Sequence, residues 1–127
     1  MALVDTDVLI DVLRNHSDTV AWLRGLPEAP DIPGYVAMEL YQGCHDKREA
    51  DAVSKLLRPF LVVWPSSLEC HSALRQFAAL KLSHSIGLLD CLIAACAVER
   101  TATLYSFNVK HYLAYPGLTV EKPYQKP

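Results

Sequence analysis

The chain predicts an α/β fold, a central and mostly parallel twisted β-sheet with α-helices on both faces, and three observations carry that expectation. Short aliphatic or aromatic runs, Ala2 to Val4, Leu61 to Pro65 and Thr103 to Phe107, are separated by longer stretches with apolar residues at helical spacing. One such stretch, Leu88 to Arg100, is apolar on every face, the pattern of a helix buried on most sides. With 127 residues, 51% of them hydrophobic, the chain can bury one core, so a single domain over 1–127 is expected.

Taken in order, Ala2 to Val4 is a strand that runs straight into a helix carrying Val8, Leu9, Val12 and Leu13 on one face. Ser17 or Asp18 caps a second short helix with Val20, Trp22 and Leu23, closed by Gly25 and Pro27. The segment PEAPDIPG reads as loop, YVAMELYQGC as a helix beginning near Val36, and KREADAVSKLL as its continuation or successor. LVVWP is a strand stopped by Pro65, and Ser66 or Ser67 opens a long helix that runs toward His84. Gly87 separates this helix from Leu88 to Arg100. TLYSF is the next strand, NVKHYLAY a short helix and LTVEK a terminal strand.

Composition narrows the function. Twelve Lys plus Arg against fourteen Asp plus Glu give a net charge of -2, so any binding of nucleic acid must use a local basic patch. Cys44, Cys70, Cys91 and Cys96 form no CxxC pair, which argues for reduced core thiols over a zinc knuckle or redox motif. The longest apolar run, Gly87 to Val98, is too short to span a bilayer and is broken by Asp90. Asp5, Asp7 and Asp11 interrupt the N-terminal apolar stretch where a secretory leader would need continuity, and a cytoplasmic location is expected. A mean hydropathy of +0.13 is apolar for so small a domain and hints at surface covered by a partner.

Three carboxylates stand in apolar surroundings: Asp5 at the end of the first strand, Glu39 in YVAMELYQG and Asp90 in GLLDCLIAACAV. An ionised carboxylate removed from water is costly unless paired, hydrogen-bonded or bound to a cation. No Lys or Arg lies in the same runs, which points to a divalent ion as the common partner. Each has a plainer reading as well. Asp5 suits an N-cap, Asp90 and Glu39 suit first-turn positions facing a helix dipole, and Asp7 with Asp11 suits a solvated helix face. Ligands in open parallel sheets bind beyond the carboxyl ends of the strands. If the strands ending near Asp5 and Asn108 are neighbours, both residues open into one cleft.

The fragments LVDTDVLIDVLR, MELYQG, IGLLDCLIAACAVE and TLYSFNVKHY, in that order, strongly resemble the PIN-domain ribonucleases and, within them, the VapC toxins of VapBC toxin-antitoxin systems. The resemblance spans almost the whole chain. It implies a PIN-like fold in which Asp5, Glu39 and Asp90 are the three acidic residues and Asn108 takes the place of a fourth acidic or amide residue. Thr6 and Ser106 match supporting hydroxyl positions, and Asp7 supports the site from behind. The resemblance further implies RNA cleavage dependent on Mg²⁺ or Mn²⁺, with Asp5 and Asp90 as direct ligands and Glu39 ligating through water or orienting the nucleophile. A homodimer and a VapB-like antitoxin covering the cleft are implied partners. Lys110 and His111 follow Asn108 and are placed to meet RNA phosphate; Arg14 and Lys81 are further candidates, and Lys47 and Arg48 read as solvated surface. Tyr41 and Tyr112 are candidates for stacking on bases, with core packing as the plainer reading. Three departures stand out: Asn108 is neutral where many members carry aspartate, Asp7 replaces a common asparagine, and Pro33-Gly34 falls where a smooth strand usually leads to the glutamate helix.

Two rival functions fit parts of the sequence. DTDV after a strand is also how aspartyl-phosphate enzymes begin, but LVVWP carries no aspartate for a receiver site and that reading leaves Glu39 and Asp90 unexplained. The alternative within the fold is a catalytically silent PIN module that binds RNA or protein without cutting.

Overall fold

The computed structural model describes residues 1–126; Pro127, the last residue of the expected domain, lies outside the described residues. The order is β1 (Ala2–Val4), α1 (Thr6–Leu13), α2 (Ser17–Arg24), β2 (Ile32–Pro33), α3 (Gly34–Gln42), α4 (Lys47–Leu57), β3 (Val62–Val63), α5 (Ser67–Leu80), α6 (Leu88–Arg100), β4 (Thr103–Tyr105), α7 (Val109–Tyr112) and β5 (Thr119–Glu121).

Every strand pairing is parallel. β4 lies between β1 and β5, with Leu3 opposite Leu104 and Leu104 opposite Val120. β2 pairs with β3, and a single parallel bridge from Leu3 to Asp31 ties that pair to β1, where the Asp31 N–H donates to the Ala2 carbonyl at 2.9 Å. The spatial order is therefore β3-β2-β1-β4-β5, and the chain switches direction across the sheet between β1 and β4. A crevice at the carboxyl ends of those two strands is where an open parallel sheet binds its ligand.

Leu3 and Val4 point to opposite faces of β1, yet both are fully buried, so both faces of the sheet are covered. On the helical side the core is α6, whose Cys91, Ile93, Ala94, Ala95, Cys96 and Ala97 are all buried. Its small side chains let α5 lie close along it. Burial pushes the Cys91 and Cys96 thiols up to about 11 and about 12, so both remain protonated packing groups.

Several boundaries differ from the sequence expectation. The glutamate helix begins at Gly34 rather than near Val36, because β2 is only two residues long and Pro33, which has no N–H for a ladder, ends it. A Cβ at Gly34 would run into the Trp64 indole, which packs edge-on against Tyr35 at 5.2 Å. KREADAVSKLL is a separate helix with its own cap, the Asp46 side chain accepting from the Glu49 N–H at 2.9 Å. α5 stops at Leu80 instead of reaching His84, the strand in LVVWP is confined to Val62–Val63, and that in TLYSF ends at Tyr105.

Candidate active site

Asp5 is the best-fixed side chain of the molecule's acidic residues. β1 delivers it, its backbone N–H continues the ladder to the Tyr105 carbonyl at 2.9 Å, and it is the N-cap of α1. One carboxylate oxygen, Oδ1, accepts the Thr6 N–H at 2.8 Å. The other, Oδ2, accepts the Ser106 hydroxyl at 2.8 Å and the Tyr112 hydroxyl at 2.9 Å. Only 6% of Asp5 is exposed. Burial raises its pKa above the ordinary aspartate value, with Asp90 adding to the rise, even though the three donors pull the other way.

Asp90 approaches from the first turn of α6. Its Oδ2 accepts the Gly87 N–H at 3.0 Å, so the helix-start role is real, and its Oδ1 accepts from the Tyr112 hydroxyl at 3.3 Å. Glu39 arrives from α3, where Oε1 accepts the Thr6 hydroxyl at 2.8 Å. Desolvation raises the Glu39 carboxyl, and the charges of Asp5 and Asp90 raise it further. Thr6 thus serves two carboxylates, its N–H holding Asp5 and its hydroxyl holding Glu39.

Asp7 is not on a solvated face. Its Oδ2 accepts the Phe107 N–H at 3.0 Å across the β1–β4 switch, while its buried Oδ1 has no hydrogen-bond partner among the described residues. Burial and the neighbouring Asp5 push its pKa up to about 6. Asn108 is exposed at the N-cap of α7; its backbone N–H donates to the Ser106 hydroxyl oxygen at 3.0 Å, and its side chain makes no hydrogen bond to the carboxylates among the described residues. Lys110 and His111 are exposed on the same short helix.

The structure therefore brings Asp5, Glu39 and Asp90 together with Thr6, Asp7 and Ser106, and leaves the Asn108 side chain at the rim. The ion pairs among the described residues, His45 with Glu49, Arg100 with Glu99 and Lys126 with Asp11, all lie elsewhere, so the cluster has no cationic side chain. Also among the described residues, no three His, Cys, Asp or Glu side chains are arranged to hold a metal ion as they stand. Instead Thr6 links Asp5 with Glu39 through its N–H and hydroxyl, the Tyr112 hydroxyl links Asp5 with Asp90, and the Ser106 hydroxyl holds Asp5 alone. Three carboxylates offering hard oxygen donors are nonetheless the donor chemistry that suits Mg²⁺ or Mn²⁺.

Of the two readings of Tyr112, base stacking and core packing, the structure shows the second: it is 1% exposed, and its hydroxyl is shared by Asp5 and Asp90, a contact the sequence reading did not foresee. Burial and both carboxylates push its phenol far above the ordinary tyrosine value, so it stays a donor. The signal was its spacing: four residues after Asn108, it stands one turn into α7 and faces back to the strand end. Tyr41 sits on the surface, its hydroxyl 2.7 Å from that of Ser54. A groove of about 530 Å³ between α1, α3 and α4 reaches the acidic cluster at Glu39 and is otherwise lined by residues such as Ile10, Leu13, Arg14, Leu40 and Val53.

A parallel α/β sheet with an acidic cleft at its switch point is the class that this fold and site define. The chain belongs to the PIN-domain family, whose model matches residues 2–114. No curated protein sequence matches it. Among solved structures it is similar to a chain of a toxin-antitoxin complex from Klebsiella pneumoniae, at 25% identity over 99% of this chain and 100% of that one, with a TM-score of 0.76. It is similar also to a chain of VapBC2 from Rickettsia felis bound to a promoter DNA fragment, at 21% identity over 95% and 97% of the two chains, TM-score 0.81. A third, from DNA-bound VapBC of Salmonella typhimurium, is 19% identical over 96% and 97%, TM-score 0.82.

Proposed function

We propose that this PIN domain is a metal-dependent endoribonuclease, the VapC-type toxin of a toxin-antitoxin pair, which hydrolyses RNA phosphodiesters at Asp5, Glu39 and Asp90. The observation that carries the reading is the convergence of three carboxylates from β1, α3 and α6 without a cationic side chain among them. Carboxyl groups held in that state cost stability, and a divalent ion removes the cost. Asp5 and Asp90 would hold the ion, and Glu39 would ligate through water or orient the attacking water. Bound Mg²⁺ or Mn²⁺ supplies charge neutralisation for the phosphate and makes water acidic enough to attack at neutral pH.

The rest falls to the chain itself. Ser106, Thr6 and Tyr112 aim the carboxylates, and Asn108 at the rim stands where it can meet a phosphate oxygen. Lys110 and His111, exposed on α7, offset the repulsion between an acidic cleft and a polyanion. That its structural neighbours come from toxin-antitoxin complexes supports a VapB-like partner, for which the groove beside Glu39 offers an apolar floor next to the acidic cluster. A homodimer and a cytoplasmic site of action complete the reading; among the described residues no helix is long and apolar enough to cross a membrane.

The test is cleavage of total cellular RNA by purified, antitoxin-free protein with Mg²⁺, Mn²⁺ or EDTA, with Asp5→Asn in parallel. Discrete fragments that require metal and vanish in the variant are expected. Intact RNA in every lane, from folded protein, would replace this reading with a silent PIN module.

A further inference from the structure

Three features of the molecule extend the function proposed above or lie outside it: the hydroxyl of Tyr112, the groove between α1, α3 and α4, and the C-terminal segment that Tyr124 and Lys126 fasten to α1 and α2. The first is carried furthest by the observations. We infer that Tyr112 is a positioning residue whose hydroxyl sets the spacing of Asp5 and Asp90 and thereby the affinity of the site for a divalent ion. The inference rests on the proposed metal-dependent reading.

The geometry separates the hydroxyl's work from that of the ring. The ring is core, 1% exposed at the end of α7, and packs whether or not it carries oxygen. The hydroxyl lies 2.9 Å from Asp5 Oδ2 and 3.3 Å from Asp90 Oδ1, and it has one proton, so the donation is shared unequally between two carboxylates from different elements. Nothing else hydrogen-bonded to Asp5 also reaches Asp90: Thr6 holds Asp5 and Glu39, and Ser106 holds Asp5 and the Asn108 backbone. Tyr112 is thus the single hydrogen-bonded link between the two proposed ligands among the described residues. Asp5 Oδ2 accepts two donors, but Asp5 Oδ1 accepts only the Thr6 N–H and Asp90 Oδ1 only the Tyr112 hydroxyl, so each carboxylate keeps a lone pair for a cation. Hydrogen bonds that aim ligating groups are commonly worth a large factor in metal affinity.

Replacing Tyr112 by Phe removes the link and keeps the ring. Tyr115, also buried and three residues along, makes no side-chain hydrogen bond to the carboxylates among the described residues, so Tyr115→Phe controls for loss of a nearby tyrosine hydroxyl as such. The experiment measures Mn²⁺ binding by calorimetry to free wild-type, Tyr112→Phe and Tyr115→Phe protein, together with the Mn²⁺ concentration that gives half-maximal RNA cleavage. Affinity is expected to fall about 10-fold in Tyr112→Phe and not in Tyr115→Phe. The half-maximal Mn²⁺ concentration should rise by the same factor, with most of the rate recovered at saturating metal.

A Tyr112→Phe protein that binds Mn²⁺ as tightly as wild type, while wild type binds and cuts, overturns this inference alone. A wild type that takes up no Mn²⁺ overturns it together with the metal-dependent reading. A second readout needs no variant to fold: the buried Tyr112 hydroxyl proton in the wild-type NMR spectrum is expected to shift on addition of Mg²⁺, and a resonance that stays in place with Mg²⁺ bound overturns the inference.

Discussion

The two ends of α1 treat aspartate differently. At its C-terminal end Asp11 meets the Lys126 ammonium at 2.7 Å, and the same ammonium lies 3.8 Å over the Phe107 ring. Beside it Tyr124 places its hydroxyl 2.7 Å from Thr19 and 3.2 Å from His16, tying the C-terminal segment to α2. At the N-terminal end Asp5 and Asp7 have hydrogen-bond donors but form no ion pair among the described residues; burial raises both carboxyls, and the Lys126 charge only partly offsets the rise at Asp7. One turn of helix separates acid neutralised by the chain from acid left for something else to neutralise. The fold pairs Lys126 with Asp11 and leaves the carboxylates at the strand ends without an ion pair among the described residues, which is how a site holds charge ready for an outside partner at a cost in stability.

The sharpest way to break this contrast is to remove charge from the first end. Asp5→Asn should reduce metal-dependent RNA cleavage by about 1,000-fold, as expected for loss of a group that holds transition-state charge compensation. The same variant should raise the melting temperature of the metal-free protein, because burial already disfavours the ionised form. A clear drop in melting temperature would mean that the Asp5 carboxylate is structural.

A smaller effect follows from Asp7. Its folded pKa of about 6 lies above the ordinary value of 3.8, so between those limits the folded state binds more protons than the unfolded state. Stability of the metal-free protein is then greatest at the acid end of that window and falls as pH rises through about 6. Allowing for partial solvation of the carboxylate, the loss at Asp7 amounts to about 2 kcal/mol at most. Burial raises Asp5 and Glu39 in the same direction. Denaturant titrations at a series of pH values should show the decline, and Asp7→Asn should flatten part of it. A profile that rises through the window would refute the assignment.

The smallest effect belongs to the other end. Lys126→Met breaks an ion pair whose lysine is half-exposed and whose aspartate is mostly buried, and should cost about 1 kcal/mol or less, with loss of its salt dependence. If it costs as much as the changes at the strand ends, the contrast between the two ends fails.

Much of this was legible in the sequence, for reasons that local physics supplies. Asp5 ends an apolar run and precedes a helical period, so its place at a strand end and N-cap needed no tertiary information. The all-round apolar pattern from Leu88 to Arg100 foretold the buried α6. What local pattern could not supply was pairing between distant segments. The adjacency of β1 and β4, on which the cleft depends, joins residues about a hundred positions apart, and was only a conditional inference. Asp7 read as surface because its partner, the Phe107 N–H, is brought by that same pairing. Tyr112 stood between stacking on bases and the plainer reading of core packing, because its four-residue helix is too short to show a periodic face. The early start of α3 depended on Trp64 lying over Gly34, a contact between segments thirty residues apart.

The hydrogen bonds from Ser106 and Tyr112 to Asp5 span 101 and 107 positions of the chain. Proteins are made from the N-terminus onward, so Asp5, Glu39 and Asp90 are all synthesised before Ser106 and Tyr112. A chain that stops short of α7 carries all three acids and lacks the hydroxyl that joins two of them. The assembled cleft is thus a property of the nearly finished polypeptide, reached only when its first strand and its last helix meet.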